Sequence, residues 1–550
     1  MKLKKNTFIQ GAFFATLGIV ISKILGIIYV IPFYAIIGDQ GGALYGYAYN
    51  IYSIFLGISQ AGIPLAMSRL ISEYNTLGYY ENKEKIYKVG KRFLNILGVV
   101  CFLILFIFAP LIADNIIGGV SDGNTPEDIV FVIRIISTAI LIVPILSVSR
   151  GYLQGHKFIS PTPVSQIIEQ TVRVIIIVVG SYLMLKVFNL PLKLAVGCAV
   201  FAATIGALAS YLYIRHKIKQ NKSEFIIKSK IKEPEIKTIE ILKLILACSL
   251  PFIMIDLFRS FSNSVDVMML VKTLVNDFGF ATKDAETVMS VISTWGLKLN
   301  MIIISVVSGI MTSLIPNLTS SFVKKDMNDV SKKINQTLQI ILSLSLPMTI
   351  GLSFITTPVW NIFYGSSNYG IVTYRYLVFV AFATTLFTAS VTTLQLLKEY
   401  KAVLVALVIG FLFKLTLNIP LMHLFNNTGL YPFYGAITAT IVGFVVPAFI
   451  ALFHIKRKFK INYKTTLKSL KYIVMGIILM LIVMFLMSFV IQLNVKSRIL
   501  SFAVAFIYAV VGGITYLVYM YKVGVLEDIF GKTFFDKIKS KLKIKNKLSR

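Results

Sequence analysis

The stretch IVFVIRIISTAILIVPILSVSRGYLQG, residues 129–155, has a counterpart in IVTYRYLVFVAFATTLFTASVTTLQL, residues 371–396. Both are apolar over a length that can cross a bilayer as a helix, and each carries one arginine near its start. Polar residues then repeat at matching intervals of 20 and 19 residues, into the next apolar stretch. The two sets are Arg134, Gln154 and Arg173, and Arg375, Gln395 and Lys414. The chain therefore contains a duplication.

The composition is that of a polytopic membrane protein. Of 550 residues 56% are hydrophobic, and the mean hydropathy is +0.79. The apolar runs are continuous and of helical length, which excludes the alternating strands of a β-barrel. We predict an all-α fold with fourteen transmembrane helices, over residues 8–37, 43–72, 93–117, 129–150, 161–188, 191–214, 244–275, 287–318, 338–362, 371–395, 401–425, 431–455, 469–492 and 499–521.

The duplication groups these helices into two repeats of six, with two helices left over. In each repeat an Ile-Pro pair, ending at Pro64 or Pro316, precedes a basic loop and a helix that contains a further proline. Parallel repeats of this kind place a substrate path at their interface. The predicted domains are an N-lobe at 1–217, a cytoplasmic amphipathic linker at 218–243, a C-lobe at 244–458, helices thirteen and fourteen at 459–521, and a basic cytoplasmic tail at 522–550.

The net charge of +31 is distributed unequally between the two sides of the membrane. With the N-terminus inside, the cytoplasmic segments hold 41 lysines and arginines, Arg150 among them, and the outer loops hold six. This asymmetry predicts that both termini are cytoplasmic. Membrane topology and attraction to anionic membrane lipids explain the excess of lysines and arginines, so we expect no nucleic-acid partner.

Catalysis is not expected from this sequence. The three cysteines and four histidines lack the spacing of metal ligands, and the chain has no phosphate-binding loop and no metalloprotease motif. We therefore predict no metal, no cofactor and no enzymatic activity.

Five basic residues lie too deep in the predicted spans to reach an interface easily. An ionised side chain at the bilayer centre costs about 2.5–3.5 kcal/mol on insertion scales unless it faces water or a partner. We therefore predict that these residues bind an anionic substrate: Lys23, Arg259, Lys298, Arg173 and Lys414. Lys414 has no acid on its own helix, so its partner is another helix, water or substrate.

Three acids in the spans are candidates for ion pairs or for coupling to Na⁺ or H⁺. Asp256 and Asp266 share one helical face with Arg259. These residues form either a structural ion pair or the wall of a hydrated cavity. Glu169 and Arg173 are four residues apart and can satisfy each other. Cations outnumber these acids, and an excess of positive charge attracts phosphates, pyrophosphate in particular. An exporter of cationic drugs would need the opposite sign.

Four blocks of sequence resemble a known family. They are SKILG at 22–26, GGAL at 41–44, RGYLQGH at 150–156 and PTPVSQIIEQTVR at 161–173. On these blocks the chain resembles the MurJ-like lipid II flippases of Gram-positive bacteria and their sporulation relatives. This family belongs to the multidrug/oligosaccharidyl-lipid/polysaccharide (MOP) superfamily. The resemblance covers essentially the whole chain.

The resemblance implies a fourteen-helix transporter of the bacterial plasma membrane, with a central cationic cavity and a lipid-tail groove beside helices thirteen and fourteen. Its substrate would be lipid II, the undecaprenyl-pyrophosphate-linked peptidoglycan precursor, moved to the outer leaflet by alternating access. Basic residues in the first and eighth spans look essential in the family, and here they match Lys23 and Lys298. The first is usually arginine, so Lys23 keeps the charge but not the bidentate fork. Cell-wall synthesis proteins are the protein partners that this role implies.

Alternative functions also fit part of the pattern. A flippase for another undecaprenyl-linked glycan, of teichoic, capsular or spore-cortex type, would share the deep cations. A cation-coupled multidrug exporter would share the fold. A scaffold for cell-wall synthesis would need no deep charges at all.

Overall fold

A computed structural model describes residues 22, 25–26, 28–60, 62–120, 122–158, 160–225, 233–305, 318, 321–322 and 324–530. Within these ranges the chain is helical and contains no β-strand, as predicted. Lys23, most of the second half of the eighth predicted span and the basic tail beyond residue 530 lie outside the described residues.

The helices of the first part of the chain follow one another with short connections. They are α1 Val30–Gln60, α2 Ile63–Thr76, α3 Tyr80–Ile107, α4 Ala109–Ile117, α5 Pro126–Ser137, α6 Val143–Gly155, α7 Pro161–Ile175, α8 Leu192–Gln220, α9 Lys222–Phe225, α10 Thr238–Asn276 and α11 Thr282–Ser290.

The remaining helices continue the same pattern to residue 530. They are α12 Met327–Phe354, α13 Thr356–Tyr364, α14 Asn368–Leu396, α15 Tyr400–Asn427, α16 Phe433–Phe459, α17 Lys464–Ser488, α18 Arg498–Lys522 and α19 Val525–Phe530.

Many of these helices are long and apolar enough to cross a membrane. Among the described residues eleven helices meet that test, and the two parts of α10, Thr238–Leu250 and Ile253–Asn276, make a twelfth, bent span. The chain is therefore a multi-pass membrane protein. The first and eighth predicted spans fall partly outside the described residues, so the predicted total of fourteen stays a prediction.

The duplication is visible in the helix geometry. In the first repeat α3 has 28 residues and is followed, after the single residue Phe108, by the nine-residue helix α4. In the second repeat α12 also has 28 residues and is followed, after Ile355, by the nine-residue helix α13. Each joining residue donates its backbone N–H to the carbonyl four residues earlier. The same break at the same place supports an origin by duplication.

The second predicted span, 43–72, is not one helix. α1 passes through Gly38, whose backbone is non-helical, and ends at Gln60. Gly62 then adopts a left-handed conformation with φ of 69°, and Pro64 opens α2. Glycine tolerates positive φ and proline favours a first helical turn, so this sequence ends one helix and starts another.

The structure divides into two compact units. One contains residues up to Lys298 together with Lys414–Ala436, and the other contains Leu299–Phe413 and the residues from Ile437 onward. A core of buried aliphatic and aromatic side chains in the first unit joins α2, α3, α6 and α8, and includes Met67, Leu94 and Leu153. This packing fixes the helices that carry the polar network described below.

The linker predicted at 218–243 is described in part, with residues 226–232 outside the described residues. α8 extends to Gln220, α10 begins already at Thr238, and residues 233–237 between them are not helical. Glu233 accepts hydrogen bonds from the backbone N–H groups of Glu81 and Asn82 at 2.9 and 2.8 Å. This carboxylate caps the start of α3, because the first N–H groups of a helix have no partner within the helix. The described part of the linker is therefore bound to α3.

Candidate functional site

Two deep cations lie beside irregular helical turns. α7, which carries Arg173, continues after Ile175 as a π-helical turn at Ile176–Gly180. α11 ends at Ser290 and continues as another π-helical turn at Val291–Trp295. Lys298 follows three residues after this turn. Single π-turns widen a helix locally and occur often at functional sites.

The π-turn before Lys298 is held against one face of α1. Thr294 donates its hydroxyl to the carbonyl of Gly42 at 3.0 Å, and Asn50 donates its side-chain amide to the carbonyl of Ser293 at 3.5 Å. A Cβ atom at Gly42 would overlap the indole of Trp295. This close approach explains Gly42 of the GGAL block, since any larger residue would push Trp295 away from α1.

Aromatic side chains line this region of α1. Tyr45 stacks on Tyr49 with ring centroids 5.0 Å apart, and Tyr49 meets Tyr52 edge-on at 5.7 Å. Phe33 connects Tyr45 to Tyr29, at 5.4 and 6.0 Å. The result is a continuous run of rings from Tyr29 to Tyr52 that crosses the break in α1 at Gly38.

Lys298 and Arg173 are brought together along this run of rings. The ammonium nitrogen of Lys298 lies 5.5 Å from the centre of the Tyr29 ring, within cation–π distance. The groups that act electrostatically on Lys298 are Tyr29, Tyr49 and Arg173. Arg173 in turn lies within electrostatic range of Tyr45 and Tyr49. We call these five residues, Arg173, Lys298, Tyr29, Tyr45 and Tyr49, the cation–tyrosine cluster.

The short described part of the first predicted span lies next to this cluster. A Cβ atom at Gly26 would sit 3.5 Å from the side-chain nitrogen of Gln170, three residues before Arg173. Lys23 is three residues before Gly26 but lies outside the described residues, so its place in the site stays a prediction.

Arg173 belongs to a second network, which is centred on Glu169. Glu169 accepts from Arg173 at 2.8 Å, the local pair that the four-residue spacing predicts, and also from Arg150 at 2.9 Å. Arg150 further donates to the hydroxyls of Ser165 at 2.9 Å and Ser210 at 2.8 Å. One carboxylate thus faces two arginines, and with Lys298 nearby the region carries net positive charge.

Arg150 was counted by sequence among the cytoplasmic basic residues, and the structure shows that it lies within α6 rather than in a loop. Its side chain is only 6% exposed and ties α6 to α7 and α8. The position at the end of a predicted span made it resemble a loop arginine. The RGYLQGH block was the one feature that singled it out.

Lys414 is fully buried in an ion pair with another helix. Its ammonium nitrogen lies 2.5 Å from Asp266 Oδ1, 3.0 Å from the Asn418 side-chain oxygen and 3.2 Å from the carbonyl of Ala436. The exposed fractions of the two charged side chains are 0% and 5%. In this conformation Lys414 and Asp266 therefore hold α10 and α15 together.

Arg259 and Asp256 form a looser and more exposed pair. Their charged atoms are 3.8 Å apart, and the side chains are 34% and 46% exposed. A Cβ atom at Gly57 would touch Asp256, so this pair lies against α1. Of the five predicted cations, the structure brings Arg173 and Lys298 into one cluster and places Arg259 and Lys414 beside their own acids.

The second unit contains an apolar groove of about 320 Å³ between α12, α17 and α18. It is lined by Pro347, Gly351, Met480, Met484, Gly513 and Tyr516, among others. The hydroxyl of Tyr516 donates to the carbonyl of Ser343 at 2.8 Å. Because this hydrogen bond satisfies the hydroxyl, the lining of the groove stays apolar and suits an aliphatic chain.

Comparison with known proteins decides the family. A family model described as polysaccharide biosynthesis protein matches residues 8–322. The chain belongs to this family. It is 34% identical over 539 residues to the protein named lipid II flippase MurJ of Bacillus subtilis (strain 168), covering 96% of this chain and 97% of that one.

Solved structures share the fold. A lipid II flippase MurJ in an inward closed conformation matches with a TM-score of 0.61 at 18% identity, covering 94% of this chain and 98% of that one. An inward-facing multidrug resistance transporter of the MATE family matches with a TM-score of 0.63 at 14% identity, covering 81% and 98%. This member of the polysaccharide biosynthesis protein family therefore has the fold of the MurJ and MATE structures.

Proposed function

We propose that this protein is a lipid II flippase, which moves the undecaprenyl-pyrophosphate-linked peptidoglycan precursor from the inner to the outer leaflet by alternating access. The observation that carries the proposal is the 34% identity to the Bacillus subtilis lipid II flippase over 96% of the chain. The chemistry of two sites supports it, one suited to the pyrophosphate and one suited to the lipid tail.

The cation–tyrosine cluster is the proposed pyrophosphate site. Among the described residues, the electrostatic neighbours of Lys298 are tyrosines and Arg173 rather than a carboxylate, so its ammonium charge is available to an anionic ligand. Arg173 and Arg150 both pair with the single carboxylate of Glu169, so the charge of Arg173 is only partly neutralised. Phosphate oxygens accept strong charge-assisted hydrogen bonds from such groups. Lys23 and Arg259 complete the proposed set.

The apolar groove in the second unit is the proposed site for the undecaprenyl tail. Its methionines are flexible and adapt to irregular apolar ligands, and its glycines leave space for them. The lobes predicted at 1–217 and 244–458, and the separate role of the helices at 459–521, remain part of this proposal.

Orientation and coupling follow from charge. Without Arg150, the cytoplasmic segments still hold a large excess of lysines and arginines, so we propose cytoplasmic termini in the bacterial plasma membrane.

Glu169 and Asp266 are occupied by close ion pairs, which leaves Asp256 as the acid of the original three that is best placed to take up Na⁺ or H⁺. Anionic lipids and cell-wall synthesis proteins are the proposed partners.

Complementation of a strain that lacks lipid II flippase activity tests the proposal. The wild-type chain should restore growth, Lys298→Ala should not, and Lys298→Arg should do so in part because it keeps the charge. Lys272→Ala is the matched control, since this half-buried lysine donates to a backbone carbonyl of Asp114 at 2.7 Å and to no member of the cluster that the structure describes. Failure of the well-expressed wild type would favour another undecaprenyl-linked glycan as substrate, and growth with Lys298→Ala would favour a scaffold.

A further inference from the structure

A buried carboxylate outside the proposed substrate site has an unusual environment. Glu286 lies on α11 and is 0% exposed. Its Oε1 atom accepts two hydrogen bonds from Asn124, one from the backbone N–H at 3.0 Å and one from the side-chain amide at 2.8 Å. The same amide group donates to the carbonyl of Gln40 at 3.1 Å. Asn124 therefore links Glu286 on α11 to the backbone of Gln40 on α1.

The second carboxylate oxygen, Oε2, has no such partner. It is buried, and no donor among the described residues reaches it. It faces Gly123, where a Cβ atom would come within 2.9 Å of it. Leaving a buried charged oxygen without a hydrogen bond costs more free energy than leaving a neutral one unpaired.

The charged and titratable groups around Glu286 increase this cost. The charged residue that acts on it is Asp128, another acid, which itself pairs with Lys193 at 3.1 Å. Tyr47 lies within electrostatic range and is fully buried. Asp39 lies on the same side of α11, within 3.5 Å of the Ser290 hydroxyl. These contacts supply negative or neutral groups rather than a cation.

We propose that Glu286 is a proton-binding site, and that it holds a proton whenever it is docked against Gly123 and Asn124. The neutral acid keeps both bonds to Asn124 through Oε1 and adds no charge beside Asp128. Loss of the proton, to water, would leave a carboxylate with one oxygen facing a glycine backbone. The connection between α11 and the loop at 122–125 would then open. This site goes beyond the proposed function, because it does not depend on which substrate is moved.

Two measurements on the purified full-length protein test the proposal. Hydrogen exchange of residues 122–128, corrected for intrinsic rates, should show protection in the wild type at low pH and at least a tenfold loss of protection as the pH rises. Glu286→Gln mimics the neutral acid and should keep the protection at every pH. Glu127→Gln is the control, since Glu127 is exposed at the start of α5 and should leave the wild-type pH profile unchanged.

Infrared titration of the wild type needs no variant to fold. A carboxylic acid band should disappear in step with the loss of protection, and Glu286→Gln should lack that band. Identical exchange profiles for the wild type and Glu286→Gln would overturn the proposal, as would a wild type with no protonated carboxyl while the loop is protected. Neither result would affect complementation by the wild type, so this proposal and the proposed function can fail separately.

Discussion

The ammonium nitrogen of Lys414 lies 2.5 Å from Asp266 Oδ1, although the two residues are 148 positions apart in the chain. Both side chains are almost completely removed from solvent. A buried pair of this kind stabilises little compared with apolar residues of the same volume, but loss of one partner leaves an uncompensated charge. The pair therefore predicts how single and double variants will differ.

Asp266→Asn should destabilise the protein by about 3–5 kcal/mol, the usual cost of breaking a buried ion pair. The double variant Lys414→Met with Asp266→Leu should recover most of this loss. Thermal unfolding in detergent measures both. Asp329→Asn is the control, because its pair with Lys333 at 2.7 Å is exposed to solvent, which screens the charges, so its loss should cost much less. If the double variant is as unstable as the single one, the ion pair is not what holds α10 to α15.

Arg150 makes a second testable connection, because it donates to groups on two other helices. Arg150→Lys keeps the charge but has one ammonium group in place of a planar fork, so it cannot reach Ser165, Glu169 and Ser210 together. We expect a loss of about 1.5–3 kcal/mol for each charged hydrogen bond that is not remade.

Thermal unfolding of Arg150→Lys checks this expectation. The matched control is Arg134→Lys, where the arginine is half-buried and makes a single 3.3 Å bond to the carbonyl of Phe106 among the described residues. Equal stability of the two variants would show that the buried network is not required.

The groove in the second unit offers an insertion site. A Cβ atom at Gly513 would meet nothing within 4 Å, so Gly513→Leu should fold normally and occupy part of the lipid-tail groove. We expect complementation to fall at least tenfold while expression stays unchanged. Ile514→Phe is the control on the same helix, since Ile514 is 57% exposed. Full activity of Gly513→Leu would exclude this groove as the tail site.

Glu399 predicts a dependence of stability on pH. This residue lies in the short connection between α14 and α15, where burial alone would raise its pKa. Hydrogen bonds from Lys458 at 2.5 Å and His454 at 3.2 Å, together with their positive charge, hold the pKa below its usual value. A carboxylate with a lowered pKa in the folded state stabilises the fold above its unfolded pKa, and this contribution is lost as the pH falls.

The stability of the wild type, measured by thermal unfolding, should therefore decrease as the pH falls from about 5 toward about 3. Glu399→Gln should already be less stable at neutral pH and should lose less on acidification. Parallel pH profiles for the two proteins would show that Glu399 does not contribute to acid sensitivity.

Sequence was sufficient for the features that depend on local pattern. Apolar length predicted the membrane helices, and the matched intervals around Arg134 and Arg375 predicted the duplication that the paired α3–α4 and α12–α13 breaks display. The Glu169–Arg173 pair followed from a spacing of four residues on one helix. Each of these can be found from composition and residue spacing along the chain, without knowledge of a three-dimensional contact.

The features that were missed depend on distant parts of the chain. The partner of Lys414 comes from a helix 148 residues away, and Arg150 bonds Ser210 from another helix. The tyrosines at 29, 45 and 49 resemble ordinary interfacial aromatic residues until their stacking beside Arg173 and Lys298 is known. The π-helical turns have no sequence pattern that would have predicted them.

The most direct test of the central claim is the arrival of lipid II at the outer leaflet. The measurement is its cleavage by an externally added lipid II-specific enzyme, in cells depleted of their own flippase and supplied with this protein. Wild type should expose lipid II, and Lys298→Ala, at equal membrane abundance, should reduce exposure at least tenfold while Lys272→Ala does not. Equal exposure with Lys298→Ala and wild type would contradict the assignment of the cation–tyrosine cluster as the pyrophosphate site.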